Sequence, residues 1–157
     1  MPKKPNSPDF VVGIIGAGAM GRGIAQIVAI GGIGVLLFDT KDDAAATGKD
    51  FADRMIFRAC EKGLMSEEEA KGAVGRLEVA DKLSDLADAD LVIEAVIEDL
   101  DVKREVFLSL EECVTKDCVL VTNTSSLSVT AIAAVMKYPG RFAGFHFFNP
   151  VPLMKIV

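Results

Sequence analysis

Polar clusters follow apolar runs in the second half of the chain, and their side chains suit chemistry on a bound substrate. The clusters contain Glu94 with Glu98, the Asn-Thr-Ser-Ser run at residues 123–126, and His146 with Asn149. His146 is the only histidine of the chain, and imidazole gains and loses a proton near neutral pH. A histidine accompanied by hydroxyl and amide groups is typical of a site for general acid–base chemistry.

Each cluster also has a purely structural interpretation, which the sequence leaves open. Asn123 and Ser125 could cap the next helix, and His146 could be a core histidine whose hydrogen bonds are satisfied. Glu98 could be a solvated acid paired with Lys103, which lies one turn into the following helix. A second signal is therefore needed, and one lies near the start of the chain.

That signal is a glycine-rich turn, Gly-Ala-Gly-Ala-Met-Gly, which directly follows the apolar run at residues 11–15. In a G-x-G-x-x-G turn, Gly16 allows the tight turn, Gly18 lets the backbone approach a pyrophosphate, and Gly21 lets the helix pack close to the strand. The first helical turn, which includes Met20, directs its N–H groups at the pyrophosphate. The pattern predicts a dinucleotide-binding site.

An acid at the end of the second predicted strand indicates which dinucleotide is bound. Asp39 follows the apolar run at residues 35–38, where a carboxylate can accept hydrogen bonds from the adenosine ribose hydroxyls. The same carboxylate would repel a 2′-phosphate, so the sequence favours NAD over NADP. The alternative is a tight turn with a capping acid and no ligand.

The elements that would position these residues alternate along the chain. The alternation predicts an α/β fold of the Rossmann type with a doubly wound, mostly parallel sheet, in which ligands bind at the carboxyl ends of the strands. The long connection between the second and third strands predicts a helical pair that projects from the sheet. Strands are predicted at residues 11–15, 35–38, 77–80, 90–96, 118–123 and 141–148, and later helices at 44–62, from 66, at 101–113 and at 127–136.

The composition restricts the possible classes of function. The 157 residues are 50% hydrophobic with a net charge of −6, which suits one globular domain and argues against a nucleic-acid partner. Cys60, Cys113 and Cys118 lack metal-like spacing with the single histidine, so we expect free thiols in a reducing cytoplasm and no metal site. We expect a flexible tail at residues 1–9 and one domain at residues 10–157.

Residues 10–38 form an apolar stretch that resembles a signal or membrane segment by hydropathy alone, with Lys3 and Lys4 upstream. Its glycines, Arg22 near its middle and the lack of a small-residue cleavage site argue for soluble core instead. We therefore expect no membrane partner.

The motifs together resemble the NAD-binding domain of the 3-hydroxyacyl-CoA dehydrogenases, which include the 3-hydroxybutyryl-CoA enzymes. The resemblance extends over residues 10–157. It implies an enzyme that oxidises an (S)-3-hydroxyacyl-CoA to the 3-ketoacyl-CoA with hydride transfer to NAD, in fatty-acid β-oxidation or butanoyl metabolism. The motifs that carry it are the turn at residues 16–21, Val-Ile-Glu-Ala-Val at 92–96, Thr-Asn-Thr-Ser-Ser-Leu at 122–127, and Arg-Phe-Ala-Gly-Phe-His-Phe-Phe-Asn-Pro-Val-Pro at 141–152.

The resemblance also implies roles for individual residues. His146 would be the general base that takes the proton of the 3-hydroxyl, Ser125 would bind the substrate oxygen near the nicotinamide, and Asn149 would be a neighbouring site asparagine. The residues implied to contact the cofactor are Gly16, Gly18, Met20, Gly21, Asp39, Glu98, Lys103, Asn123 and Ser125.

The chain departs from the family's pattern near its end. The glutamate that partners the histidine would follow Val157, and the family's C-terminal helical domain, through which the parent enzyme would form a homodimer, is absent from this sequence. Residues 154–157 read as the start of another strand, as in a truncated domain. We therefore expect this chain to bind NAD and to oxidise little or no acyl-CoA by itself.

A basic stripe on the predicted helical pair suggests where the CoA phosphates could bind. Arg54, Arg58 and Lys62 share one face of a helix, and the family places its helical excursion near CoA. The alternative is a solvated face, with neighbouring acids as ion-pair partners, namely Asp50, Asp53 and Glu61.

Two other functions compete with the dehydrogenase. A non-catalytic dinucleotide-binding protein of the same fold would have no need of His146, Ser125 and Asn149 together. An oxidoreductase that acts on small hydroxy acids is disfavoured by the His-Phe-Phe-Asn-Pro run and by the long helical excursion.

Overall fold

Within residues 3–157, six short strands form a single sheet in which every neighbouring pair is parallel. The computed structural model describes residues 3–157. The apolar runs form the strands because both faces of a parallel sheet are covered by other elements. The strands are β1 (Val11–Ile15), β2 (Gly34–Phe38), β3 (Leu77–Val79), β4 (Leu91–Glu94), β5 (Val119–Thr122) and β6 (Phe142–Gly144).

The helices that connect the strands lie on both faces of the sheet. They are α1 (Ala19–Ile30), α2 (Ala44–Glu61), α3 (Glu67–Arg76), α4 (Leu100–Cys113) and α5 (Val129–Ala133), with short 3₁₀ turns at Leu83–Leu86 and Pro139–Arg141.

The order of the strands across the sheet is β3-β2-β1-β4-β5-β6. The chain leaves β1 towards one edge and, after β3, returns to the other side of β1 with β4. Ligands in such sheets bind at the carboxyl ends of the strands on either side of this reversal. The Rossmann-type fold predicted from the sequence is confirmed.

Two apolar clusters make up the core, one on each face of the sheet. Ile14 and Ile93 belong to the first cluster, whereas their neighbours Ile15 and Val92 belong to the second. Successive strand residues point to opposite faces, so this division follows directly from the pleat of β1 and β4.

The predicted helical pair between the second and third strands consists of α2 and α3. Ser66 caps α3 in a reciprocal arrangement, since Glu69 N–H donates to its hydroxyl and its own N–H donates to the Glu69 carboxylate. The pair has a small apolar cluster of its own, and the Arg76 guanidinium donates to the Ala29 carbonyl of α1 at 3.0 Å. The pair therefore rests against α1.

Near the C-terminus two elements are shorter than the sequence predicts, and residues 154–157 do not form the predicted third. The strand expected at residues 141–148 ends at Gly144, because the Phe147 N–H bonds a side chain, that of Asn123, and not the β5 backbone. The helix expected at residues 127–136 begins only after its cap, Ser128. The prediction that a strand starts at residues 154–157 is wrong, since this segment forms no strand and is exposed.

The N-terminal segment contacts the end of the sheet opposite the ligand edge. The Lys3 ammonium lies 2.8 Å from the Asp9 carbonyl oxygen and 3.3 Å from the Asp90 carboxylate. Of the predicted tail at residues 1–9, the first two residues lie outside the described ones.

The apolar stretch at residues 10–38 is divided between β1, α1 and β2. Among residues 3–157 no helix is both long enough and apolar enough to span a bilayer.

Candidate functional site

The glycine-rich loop packs so closely against its surroundings that two of its glycines leave no room for a side chain. Gly16 has a φ of +97°, and a Cβ there would lie 2.4 Å from the Ala95 carbonyl oxygen. A Cβ on Gly21 would lie 1.7 Å from the Gly16 carbonyl oxygen. Gly18 differs, because a Cβ there would meet no atom within 4 Å. Gly18 therefore faces open space, as expected where a ligand approaches the backbone.

The N-terminus of α1 opens at this loop. Gly18 is its N-cap residue, so no side chain caps the helix, and its first turn contains no acidic residue. The unpaired N–H groups and the helix dipole together favour an anion at this position.

Asp39 joins the loop to the end of β2. Its carboxylate accepts a hydrogen bond from Ala17 N–H at 2.8 Å through Oδ2, and from Lys41 N–H at 2.9 Å through Oδ1. The acid singled out in the sequence therefore fixes the loop, which agrees with its alternative interpretation as a capping acid.

A cleft of about 550 Å³ lies beside Asp39 and is called the loop cleft below. It runs along the carboxyl ends of β1, β2 and β4, and its apolar wall continues onto α4. The residues that line it include Gly16, Gly18, Asp39, Ala95, Val96 and Val106.

A smaller pocket of about 290 Å³, the histidine pocket, shares Ala95 and Val96 with the loop cleft. It brings together the three side chains that the sequence analysis predicts to be catalytic. Its other lining residues include three of the predicted cofactor contacts. The lining residues named in the sequence analysis are Ser125, His146, Asn149, Met20, Glu98 and Asn123.

Residues 124–126, called the 124–126 loop below, are held by the carboxylate of Glu98. Its Oε1 atom accepts hydrogen bonds from Ser125 N–H at 3.0 Å, from Ser126 N–H at 3.2 Å and from the Thr124 hydroxyl. Burial alone would raise the pKa of Glu98, but these hydrogen bonds and the nearby Lys103 ammonium outweigh it and lower the pKa to about 2. Glu98 is therefore an anion at neutral pH and a fixed acceptor.

A buried ion pair lies directly behind Glu98. The Lys103 ammonium, 1% exposed, is 2.6 Å from Oε1 of Glu94, whose side chain is fully buried, and 3.4 Å from Oε2 of Glu98. The Thr122 hydroxyl donates to Glu94 Oε2 at 2.6 Å, and Val96 N–H donates to Oε1 at 2.7 Å. Lys103 as a contact to the cofactor stays a prediction.

Asn123 anchors the segment that carries the histidine. Its Oδ1 atom accepts a hydrogen bond from Phe147 N–H at 2.8 Å, which fixes the backbone next to His146. The His146 ring lies 4.6 Å, centroid to centroid, from the ring of Phe148.

A third cleft, of about 680 Å³, lies between α1 and α2 and is called the α1–α2 cleft. Arg58 and Lys62 of the basic stripe line it, whereas Arg54 does not. Asp53, one of the acids considered as a partner for the stripe, pairs with Lys49 at 2.6 Å. The apolar lining of the α1–α2 cleft includes Ile27, Ile30, Met55 and Leu153.

The sequence analysis missed one cation at this cleft. The Arg22 guanidinium stacks on the ring of Phe51, a lining residue, at 3.7 Å from the ring centroid. Among residues 3–157, no carboxylate lies within ion-pair distance of Arg22, Arg58 or Lys62. The sequence signal that could have identified Arg22 is its position inside an otherwise largely apolar helix.

The three cysteines are free thiols in the structure, as the sequence analysis expects. Burial is the main reason that the pKa of Cys118 is raised to about 11, so this thiol is protonated at neutral pH.

Comparison with known proteins identifies the family. The family model described as "3-hydroxyacyl-CoA dehydrogenase, NAD binding domain" matches residues 11–157. A 3-hydroxybutyryl-CoA dehydrogenase of Bradyrhizobium diazoefficiens is 42% identical over 146 residues, which is 93% of this chain and 50% of that protein. The chain thus spans about half the length of such relatives.

Solved structures agree with the family assignment. The chain superposes on a 3-hydroxybutyryl-CoA dehydrogenase from Escherichia coli with a TM-score of 0.90 at 42% identity, covering 94% of this chain and 31% of that one. With an (S)-3-hydroxybutyryl-CoA dehydrogenase from Ralstonia eutropha the TM-score is 0.88 at 38% identity, covering 92% and 51%.

Proposed function

The chain belongs to the 3-hydroxyacyl-CoA dehydrogenase family as its NAD-binding domain, and on that premise we propose that it serves an enzyme that oxidises (S)-3-hydroxyacyl-CoA to 3-ketoacyl-CoA. The observation that carries the proposal is the histidine pocket, where Ser125, His146 and Asn149 meet and which opens onto the loop cleft. A protein that only bound a dinucleotide would not require these three side chains together.

The residues of the loop cleft fit NAD. The α1 N-terminus suits the pyrophosphate, and the open space at Gly18 lets the phosphates reach the backbone. Asp39 borders the same cleft and offers its carboxylate to the ribose hydroxyls. NAD, when bound, supplies the acceptor for the hydride that leaves C3 of the substrate.

The residues of the histidine pocket account for the proton. As the C3–H bond breaks, His146 takes the proton of the 3-hydroxyl, and the oxygen becomes that of the 3-keto group. Ser125 and Asn149 hold this oxygen through hydrogen bonds and so keep the hydroxyl directed at the imidazole. Glu98 fixes the position of Ser125, because its carboxylate accepts a hydrogen bond from the Ser125 N–H.

The test separates cofactor binding from chemistry. We expect the 157-residue chain to bind NADH in a fluorescence titration but to reduce little or no acetoacetyl-CoA. In the full-length protein, His146→Gln should lower kcat by about 10²-fold to 10⁴-fold while NADH affinity changes little. An unchanged kcat would overturn the role of His146, and absence of NADH binding would overturn the cofactor site.

The same proposal extends to CoA through the α1–α2 cleft. Its apolar floor suits the uncharged part of CoA, and Arg58 and Lys62, together with Arg22 on Phe51, offer unpaired cations to the phosphates. Arg54 is exposed on the same helix but does not line the cleft, so it provides a matched control.

Charge reversal tests this site. Arg58→Glu in the full-length protein should raise the acyl-CoA KM about tenfold and leave the NAD KM unchanged, because only the CoA phosphates meet this cation. Arg54→Glu should leave both constants near their original values. Equal effects of the two substitutions would favour the solvated-face interpretation of the stripe.

We further propose a homodimeric parent enzyme, as the resemblance implies, and a location in the reducing cytoplasm, which the three free cysteines favour. Sedimentation of the full-length protein should give the mass of a dimer. A monomer with full activity would contradict this part of the proposal alone.

A further inference from the structure

We propose that Lys103 is a positioning residue that acts through Glu98 to hold the 124–126 loop, and with it Ser125, in the orientation that the reaction requires. This inference rests on the proposed function for the role of Ser125. The contacts of the arrangement all lie within the protein, so the holding of the loop can be tested separately from cofactor binding.

Burial explains why Lys103 can act as a fixed point. Its ammonium is 1% exposed and faces Glu94, which is fully buried and receives further hydrogen bonds from Thr122 and Val96. A buried carboxylate with its hydrogen bonds satisfied has no freedom to rotate, so the ammonium bonded to it at 2.6 Å is fixed as well.

The two carboxylate oxygens of Glu98 have different partners. Oε2 lies 3.4 Å from the Lys103 ammonium, whereas Oε1 receives the hydrogen bonds of the 124–126 loop. With one oxygen directed at Lys103, the other is directed at the loop. Without the ammonium, the Glu98 side chain, 37% exposed, could turn towards water and release the N–H groups of Ser125 and Ser126.

This role differs from the direct cofactor contact that the family resemblance implies for Lys103. A direct contact would matter only when NAD is bound. A positioning role, in contrast, changes the 124–126 loop in the NAD-free protein. The two alternatives therefore predict different results in the absence of cofactor.

The experiment uses the NAD-free chain labelled with ¹⁵N. The double variant Glu94→Gln/Lys103→Met removes both buried charges together, so that no unpaired charge remains in the core, and retains an amide oxygen for Val96 N–H. Hydrogen exchange and the pH titration of the Ser125 and Ser126 amides report on the loop. Lys49→Met is the matched control, because it removes an ammonium paired at 2.6 Å with Asp53 on α2, away from this loop.

We expect the Ser125 and Ser126 amides of the double variant to exchange about tenfold faster, as for loss of a hydrogen bond to a charged acceptor. The titration midpoint of the Ser125 and Ser126 amide shifts, which reports the protonation of Glu98, should rise by about one pH unit, since an opposite charge close to the carboxylate is gone. Lys49→Met should change neither quantity. Glu98→Ala, which removes the acceptor and leaves the buried pair of Glu94 and Lys103 intact, should reproduce the faster exchange and abolish the titration.

Unchanged exchange and titration in the folded double variant would overturn the proposal. Unchanged exchange together with weaker NADH binding would instead support a direct contact of Lys103 to the cofactor. If the chain bound no NADH at all, the proposed function would fail while the measurements on the NAD-free loop would still decide whether Lys103 positions it.

Discussion

Close backbone packing holds Gly16 and Gly21 of the glycine-rich loop on one side of the site, whereas hydrogen bonds to the Glu98 carboxylate hold the 124–126 loop on the other. At Gly16 and Gly21 an added Cβ would lie 2.4 and 1.7 Å from a carbonyl oxygen. At Glu98 a single oxygen accepts from two hydroxyls, those of Thr124 and Ser126, and from two backbone N–H groups. One region is shaped by the absence of side chains, and the other by the presence of charged ones.

The difference matters for how each region responds to change. Steric packing involves no titratable group, so Gly21, whose contacts are purely steric, should be insensitive to pH, and both tight glycine positions should be intolerant of any side chain. Ala17 of the same loop is held differently, since its N–H bonds the Asp39 carboxylate. The hydrogen bonds from the 124–126 loop to the Glu98 carboxylate can be weakened in steps by substitution or by acid. Each prediction below tests one part of this contrast.

Gly21→Ala should have the largest effect, because the new methyl group would collide with the Gly16 carbonyl oxygen and neither backbone segment can yield cheaply. We expect the free energy of unfolding to fall by about 3 kcal/mol or more, measured by urea denaturation followed by circular dichroism.

Gly18→Ala is the matched control for the glycine-rich loop. No atom lies within 4 Å of a Cβ at this position, so stability should stay within about 1 kcal/mol of the unmodified chain. NADH affinity should nevertheless fall, since the methyl group enters the loop cleft. Equal stability of Gly18→Ala and Gly21→Ala would show that packing does not fix this loop.

Much of the glycine-rich half could be predicted from the sequence, since its rules are local. The G-x-G-x-x-G spacing, the apolar run of β1 and the acid after β2 all lie within about thirty residues of each other and have defined structural meanings. Ser66 likewise predicts its own helix, because a cap and its Glu69 partner are neighbours in sequence.

The side of the site around Glu98 and Asn123 could be predicted only in part. Glu98 and Thr124 are 26 residues apart, and Asn123 and Phe147 are 24 apart, so no local pattern indicates that they bond. The same bond explains the overlong prediction for β6, since the apolar run at residues 145–148 reads as strand although its backbone is held by a side chain.

Asn123→Ala should have an intermediate effect and tests whether the hydrogen bond to Phe147 holds the segment that carries His146. Phe147 is buried, so its N–H would lose its acceptor without full access to water. We expect a loss of about 1–2 kcal/mol in unfolding free energy and a shift of the His146 ring signals in NMR.

Asn123→Asp is the comparison for this hydrogen bond, because it retains an acceptor oxygen at the same place. It should preserve the position of the His146 ring signals better than Asn123→Ala. If both variants shifted the ring equally, the hydrogen bond would not be what orders residues 145–149.

Acidification should have the smallest and most local effect. The pKa of Glu98 is lowered to about 2, below the value of about 4.3 that a glutamate has in an unfolded chain, so its hold on the loop is complete above about pH 4.5 and is lost as the pH falls towards 2. The Glu98 side chain is 37% exposed, and solvent screening therefore keeps the effect on global stability small.

The informative measurement is the pH dependence of the Ser125 and Ser126 amide shifts, with Gly21 as the internal reference. Gly16 is not used as a reference, because its neighbour Ala17 bonds the Asp39 carboxylate. We expect the Ser125 and Ser126 signals to stay constant from pH 7 to about 4 and then to move, while the Gly21 signal stays in place until the chain unfolds. Movement of both sets at the same pH would mean that the two regions open together, and that the contrast between steric and electrostatic fixation does not describe this site.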